Sequence, residues 1–168
     1  MSDPQQTVLK HSAVKGIQGF AILAPPLLAA RALLARRAPS LTASLRTITL
    51  STFLLGPVAG GGVELGRVYW QGLSSTELGD KAARIRSSTS QRRADDYSAI
   101  GGVLGAIMST TILLRRAPLL WVAGTGASFG VAGGVLTHAI RGYEEGENTL
   151  SPGMVKEEVK GAVGAKGR

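Results

Sequence analysis

Four long stretches of this sequence are nearly free of charge, and each is long enough to cross a bilayer as a helix. They run from Gly16 to Leu34, Ile48 to Leu65, Ser98 to Leu114 and Pro118 to Ile140. A hydrocarbon core about 30 Å thick needs roughly 20 apolar helical residues, and about 17 suffice. In lipid every backbone donor and acceptor must be satisfied within the protein, so apolar runs of this length fold as helices. The expectation is an all-α membrane protein with four transmembrane helices in two hairpins. Its expected parts are an N-terminal tail (1–15), a first transmembrane hairpin (16–67), a polar central loop (68–97), a second hairpin (98–140) and a charged C-terminal tail (141–168). Pro25 and Pro26 remove two backbone donors from the first span and are expected to bend or break it. Arg31, near its end, is placed to snorkel to the interface.

Composition supports this class. Hydrophobic residues make up 44% of the chain with only 5% aromatic, and Gly alone contributes 23 residues. A soluble α/β domain rarely combines that much Gly with charges segregated in this way. The net charge of +8 raises nucleic acid as a partner, but the arginines flank apolar runs and are not interleaved with aromatics. That pattern sets membrane orientation, and no nucleic-acid partner is expected. Cysteine is absent and His11 and His138 are the only histidines, which excludes disulfides, thiolate sites and a His-based metal cluster. The N-terminal MSDPQQTVLKHSAVKG has neither the apolar core of a secretory signal nor the Arg-rich, acid-poor character of a transit peptide. Targeting information is therefore expected to be internal.

Orientation follows from where the acids are missing. With four spans, both termini and the central loop share one side, and the two hairpin turns share the other. The turn side carries Arg31, Arg36, Arg37, Arg46, Arg115 and Arg116 and no Asp or Glu. Short loops with uncompensated arginine are retained on the cytoplasmic or matrix side. Arg36, Arg37, Arg115 and Arg116 are accordingly assigned to orientation and to lipid headgroups. The two turns also echo each other, Leu33-Leu34-Ala35-Arg36-Arg37-Ala38-Pro39 against Leu113-Leu114-Arg115-Arg116-Ala117-Pro118. Gly61-Gly62-Val63 with Arg67 and Tyr69 has a counterpart in Gly133-Gly134-Val135 with Arg141 and Tyr143. Two similar hairpins are the simplest layout.

Small residues recur four apart: Gly56 and Gly60, Gly62 and Gly66, Gly101 and Gly105, then Gly126, Gly130 and Gly134. This spacing lays a flat stripe along one helix face and lets a second backbone approach closely. Packing within the chain's own bundle is the first expectation, and an interface with another subunit is the alternative. Glu64 and His138 each follow a Gly-Gly-Val near a span's exit. Both are read as solvated interfacial anchors, with a proton relay as the alternative. Tyr69, Trp70, Tyr97 and Tyr143 on one side and Trp121 on the other fit aromatic belts.

Catalytic apparatus is not visible. The glycine runs lack a following Lys-Ser/Thr, and the hydroxyl residues lack a His-Asp partnership. No enzyme activity, cofactor or metal is expected. The central segment is polar, with KAARIR and SSTSQRR, and the C-terminal tail alternates charge, with a short helix expected at Val155 to Lys160. Such a tail is long enough to lie on a neighbouring surface.

Arg92-x-x-x-Asp96 followed by Ile100-Gly101-Gly102-x-x-Gly105 resembles the signature that opens the third helix of the mitochondrial inner-membrane translocase family, also called the preprotein and amino-acid transporter family. The gap between Asp96 and the glycines is shorter than that family's usual one. The resemblance implies a multi-pass protein of the mitochondrial inner membrane, with termini in the intermembrane space and turns in the matrix. It implies that Arg92, or Arg93, pairs with Asp96 at the membrane surface while the glycines dock the helix. The family holds translocase channels and also a non-transporting accessory subunit of respiratory complex I. The missing cysteines and the lack of a polar stripe make this chain more similar to the second kind, as in fungal complex I. The implied partners are membrane-arm subunits of complex I and phospholipids, cardiolipin among them. A translocase or solute-channel subunit is the alternative.

Overall fold

The computed structural model describes residues 3–36, 39–113 and 115–144. These residues form an all-α bundle containing four helices long and apolar enough to cross a membrane. The first is α1 (Asp3–Leu34). The second span comprises α2 (Leu41–Leu50), a widened π-turn (Ser51–Leu55) and α3 (Gly56–Gln71). A shorter helix α4 (Ser75–Ser87) follows, then the spans α5 (Thr89–Leu113) and α6 (Leu119–Glu144). The expected short helix at 155–160 lies outside the described residues, as does most of the C-terminal tail.

The first hairpin departs from the sequence reading in where its helix starts and in the prolines not breaking it. α1 begins at Asp3, well before Gly16, and runs unbroken through Pro25 and Pro26. Proline's fixed φ suits a helix; what it costs is the N–H bonds to the carbonyls four residues back, here Ala21 and Ile22. Ala21 and Ala24 are buried against the bundle at that level, so packing holds the helix where hydrogen bonding is thinned. The irregularity appears instead in the facing span. Pro57 cannot donate to Phe53, and its ring would crowd that carbonyl. The turn before it widens, and the Gly56 N–H bonds Ser51 O. A single π-turn inside a helix has this form.

The central segment is likewise mostly helix. α3 ends at Gly72 with φ 58°, a left-handed stop that glycine adopts without a Cβ clash. Ser74 then caps α4 in a reciprocal box. Its hydroxyl accepts from the Glu77 N–H, and the Glu77 carboxylate accepts from the Ser74 N–H at 2.7 Å. A Ser-x-x-Glu signature at residues 74–77 is the sequence signal for this helix. Leu78 and Ala82 bury its apolar face.

Small residues face inward and large ones outward. The buried hydrophobic set consists of Val, Ala, Leu and Ile side chains such as Val8, Ala21, Ala82, Val122 and Val131. Leu34, Ile112, Leu120 and Tyr143 are all more than two-thirds exposed. Only 11–33% of the residues in each span's most apolar window are buried within the chain. This is the arrangement of helices whose outer surface meets lipid or other helices. Hydroxyls join the hairpins inside: Thr49 Oγ1 and Thr125 Oγ1 lie 3.1 Å apart, and Thr125 donates to Leu45 O at 2.8 Å.

Candidate functional site

The glycine stripes bring backbones together within each hairpin. A Cβ at Gly101 would fall on the carbonyl of Gly130, and one at Gly105 on that of Gly126. The relation is reciprocal: Gly126 faces Gly105 and Ser109, Gly130 faces Gly101, and Gly134 faces the carbonyl of Tyr97. In the first hairpin Gly56 and Gly60 meet Gly16 and Ser12 of α1 in the same way. Seven of the nine glycines in the four-apart series thus pack inside the chain. Gly62 and Gly66 differ, since a Cβ at either would meet nothing within 4 Å.

On the termini side, the inward faces of α1, α3, α4 and α5 carry two neighbouring polar groups. Lys15 and Gln18 stand three apart on α1, so their side chains share a face. Lys15 Nζ donates to Gln18 Oε1 at 2.9 Å and to Asp95 Oδ1 at 3.0 Å. Gln18 is buried, and its Nε2 donates to Asp95 at 2.8 Å and to Ser98 Oγ at 3.0 Å. One helical turn earlier Ser12 Oγ donates to Glu64 at 3.4 Å, and Lys81 Nζ of α4 reaches the same carboxylate at 2.5 Å. His11 sits within electrostatic reach of Lys15, Asp95, Lys81 and Glu64.

Together they pair two carboxylates with two ammonium groups and tie α1 to α3, α3 to α4, and one hairpin to the other. Glu64 is therefore not a solvated anchor: it is 6% exposed and paired. Removing one partner from such a pair costs far more than the pair contributes net, because it strands a desolvated charge. The sequence singled out Glu64 but not Lys15, Gln18, Lys81, Asp95 or Ser98, which come together only through the helix at 75–87 and the crossing of α1 with α5. Among the described residues no group of three His, Asp or Glu side chains could hold a metal ion.

The Arg92–Asp96 pair is not formed. Both residues are exposed, and it is the neighbouring Asp95 that turns inward to Lys15. Asp95 lies one residue before Asp96 and so about 100° round the helix, which selects it for the interior. His138 is half-buried, with its Nε2 3.4 Å from Ser90 Oγ and its ring centroid 5.9 Å from that of Tyr97. Arg141 donates to the Tyr97 hydroxyl at 2.7 Å, so this belt aromatic is held within the chain.

On the turn side Arg36, Arg115 and Arg116 are exposed, and Arg37 lies outside the described residues. Arg36 closes α1 with φ 47°, a left-handed geometry that glycine adopts more readily. Arg46 stacks over the Trp121 ring, 5.9 Å from its centroid, a cation–π contact between the hairpins.

Residues 1–141 match a family described as "Protein of unknown function (DUF1757)". No curated protein and no solved structure matches the chain.

Proposed function

We propose that this chain, which belongs to the DUF1757 family, is a non-catalytic accessory subunit of mitochondrial complex I that braces the membrane arm. The observation that carries this reading is the disposition of polar and small groups. The assigned packing glycines and the buried ion pair are engaged inside the chain. The outer faces of the spans present long apolar side chains. Such a bundle is rigid within and adhesive without, which suits a permanent neighbour of other membrane helices. The resemblance at Arg92 to Gly105 and the acid-free arginine turns support the inner membrane, with the turns in the matrix and the termini in the intermembrane space. A translocase or solute channel instead needs a face that is polar along its length and open to water.

The test is native gel migration of the C-terminally tagged protein after mild detergent extraction of mitochondrial membranes, with the gel stained for NADH dehydrogenase activity. Comigration with that activity that survives a harsher detergent is the expected result. A smaller band lacking the activity would remove the accessory-subunit reading and favour the translocase one.

A further inference from the structure

Between α1 and α2, in the turn-side half of the first hairpin, a crevice of about 180 Å³ opens to the outside. Phe20, Ala24, Leu27, Leu28 and Arg31 contribute one wall, and Thr47 and Ser51 the other. Each of the α1 positions 20, 24, 27, 28 and 31 lies three or four residues from another along one stripe, so they form a single face. From Phe20 to Arg31 this face rises about 16 Å at about 1.5 Å per residue. That is about half of a hydrocarbon core of about 30 Å, the depth of one leaflet. A helix about 10 Å across could not seat in a crevice of this volume; one side of a single acyl chain, its other side open to the bilayer, could.

The two ends of the crevice differ in chemistry. Its deep end is Phe20, Ala24 and Leu27, whereas its turn-side end is Arg31. Arg31 is exposed and makes no ion pair among the described residues. No Asp or Glu of the sequence lies on the turn side to neutralise it or Arg36. A guanidinium presents several donors in a fork that fits phosphate oxygens. A zwitterionic headgroup would bring a further cation to this uncompensated pair, whereas an anionic one brings only the charge the site lacks. We propose that this crevice binds one anionic phospholipid of the turn-side leaflet, with an acyl chain along α1 and its phosphate on Arg31. The site is independent of which membrane complex the protein joins.

The test uses the full-length protein in mild detergent, with lipid retention read by native mass spectrometry. Phosphatidylglycerol and phosphatidylcholine with identical acyl chains are supplied in equal amounts. One phosphatidylglycerol should be retained roughly fivefold over phosphatidylcholine, the preference that one basic residue near a membrane surface confers. Arg31→Gln should abolish the preference. Leu27→Trp, at a position 65% exposed and therefore tolerant of bulk, should fill the crevice and lower retention of both lipids. Arg46→Gln removes a charge from the same side and should leave the preference intact. Equal retention of the two lipids by the native protein, an equal loss in Arg46→Gln, or unchanged retention in both Arg31→Gln and Leu27→Trp would each overturn the proposal.

Discussion

The two hairpins bury small residues by different means. The second is joined along its length by glycine against glycine, from Gly134 at Tyr97 to Gly126 at Gly105, with no proline inside either helix. The first has Gly16, Gly56 and Gly60 in contact from mid-span toward the termini side and none on the turn side. Deeper in, it carries Pro25, Pro26 and the π-turn. Polar contacts tie it to its neighbours: Glu64 with Lys81 of α4, and Gln18 and Lys15 with Asp95 across to the second hairpin. One hairpin is thus a backbone-to-backbone lock along its length, and the other is locked by glycine over part of its length and tied by charge and amide groups to α4 and to its partner hairpin.

Breaking the lock should have the largest effect. Gly130→Leu places a side chain on the Gly101 carbonyl, and because backbone cannot step aside we expect a loss of about 3 kcal/mol, at the upper end for overpacking. Gly62→Leu, into open space, should stay within about 0.5 kcal/mol of the native protein. Thermal unfolding of the purified variants in detergent reads both, and equal losses would erase the distinction between inward and outward glycines. Next in size is Lys81→Ala, which strands Glu64. A fully buried pair broken in this way loses about 3–5 kcal/mol. Lys81 is 37% exposed in its side chain, so about 2 kcal/mol is expected, in line with an unsatisfied buried group. Glu64→Gln in the same protein should recover part of the loss, and a double-mutant cycle measures how much.

Gln18→Leu should cost about 1–2 kcal/mol, since Ser98 and Asp95 lose a donor. It should loosen the first hairpin against the second without disturbing α5 and α6. Hydrogen exchange that rises in α1 but not in α5 or α6 is the expected signature. The smallest effect concerns α4. The Ser74 backbone N–H, then its hydroxyl, donates to the Glu77 carboxylate and holds its pKa below the usual range. A carboxyl so lowered stabilises the folded form fully above its unfolded pKa, and loses that contribution as pH falls through the folded value. Exchange protection in the first turn of α4 should therefore decline on acidification, and Glu77→Gln should remove the pH dependence.

The spans were legible because a bilayer demands long apolar helices whatever else a chain does. The stripe from Gly126 to Gly134 was legible for a similar reason, as four-residue spacing has one geometric meaning on a helix. Gly16 was not anticipated as the partner of Gly56, because a single glycine on α1 forms no stripe. The central helix was missed for a different reason. KAARIR and SSTSQRR read as polar, and the capping signal at Ser74 and Glu77 is only two residues deep. Once α4 is placed, Lys81 can reach Glu64 and the buried acid makes sense. Asp95 and Asp96 are adjacent, and only the packed bundle decides which of them faces Lys15.

The fold depends on the two hairpins packing as one bundle with their small and hydroxyl residues inward. The absence of native cysteine gives a direct test. Thr49 Oγ1 and Thr125 Oγ1 are 3.1 Å apart across the two hairpins, so Thr49→Cys with Thr125→Cys places two sulfurs within reach of a disulfide. Mild oxidation of membranes carrying this double variant should give an intramolecular crosslink, seen as a reducible mobility shift. Thr49→Cys paired instead with Cys at the outward Ile112 should give none. A crosslink in the second pair, or none in the first, would contradict the arrangement.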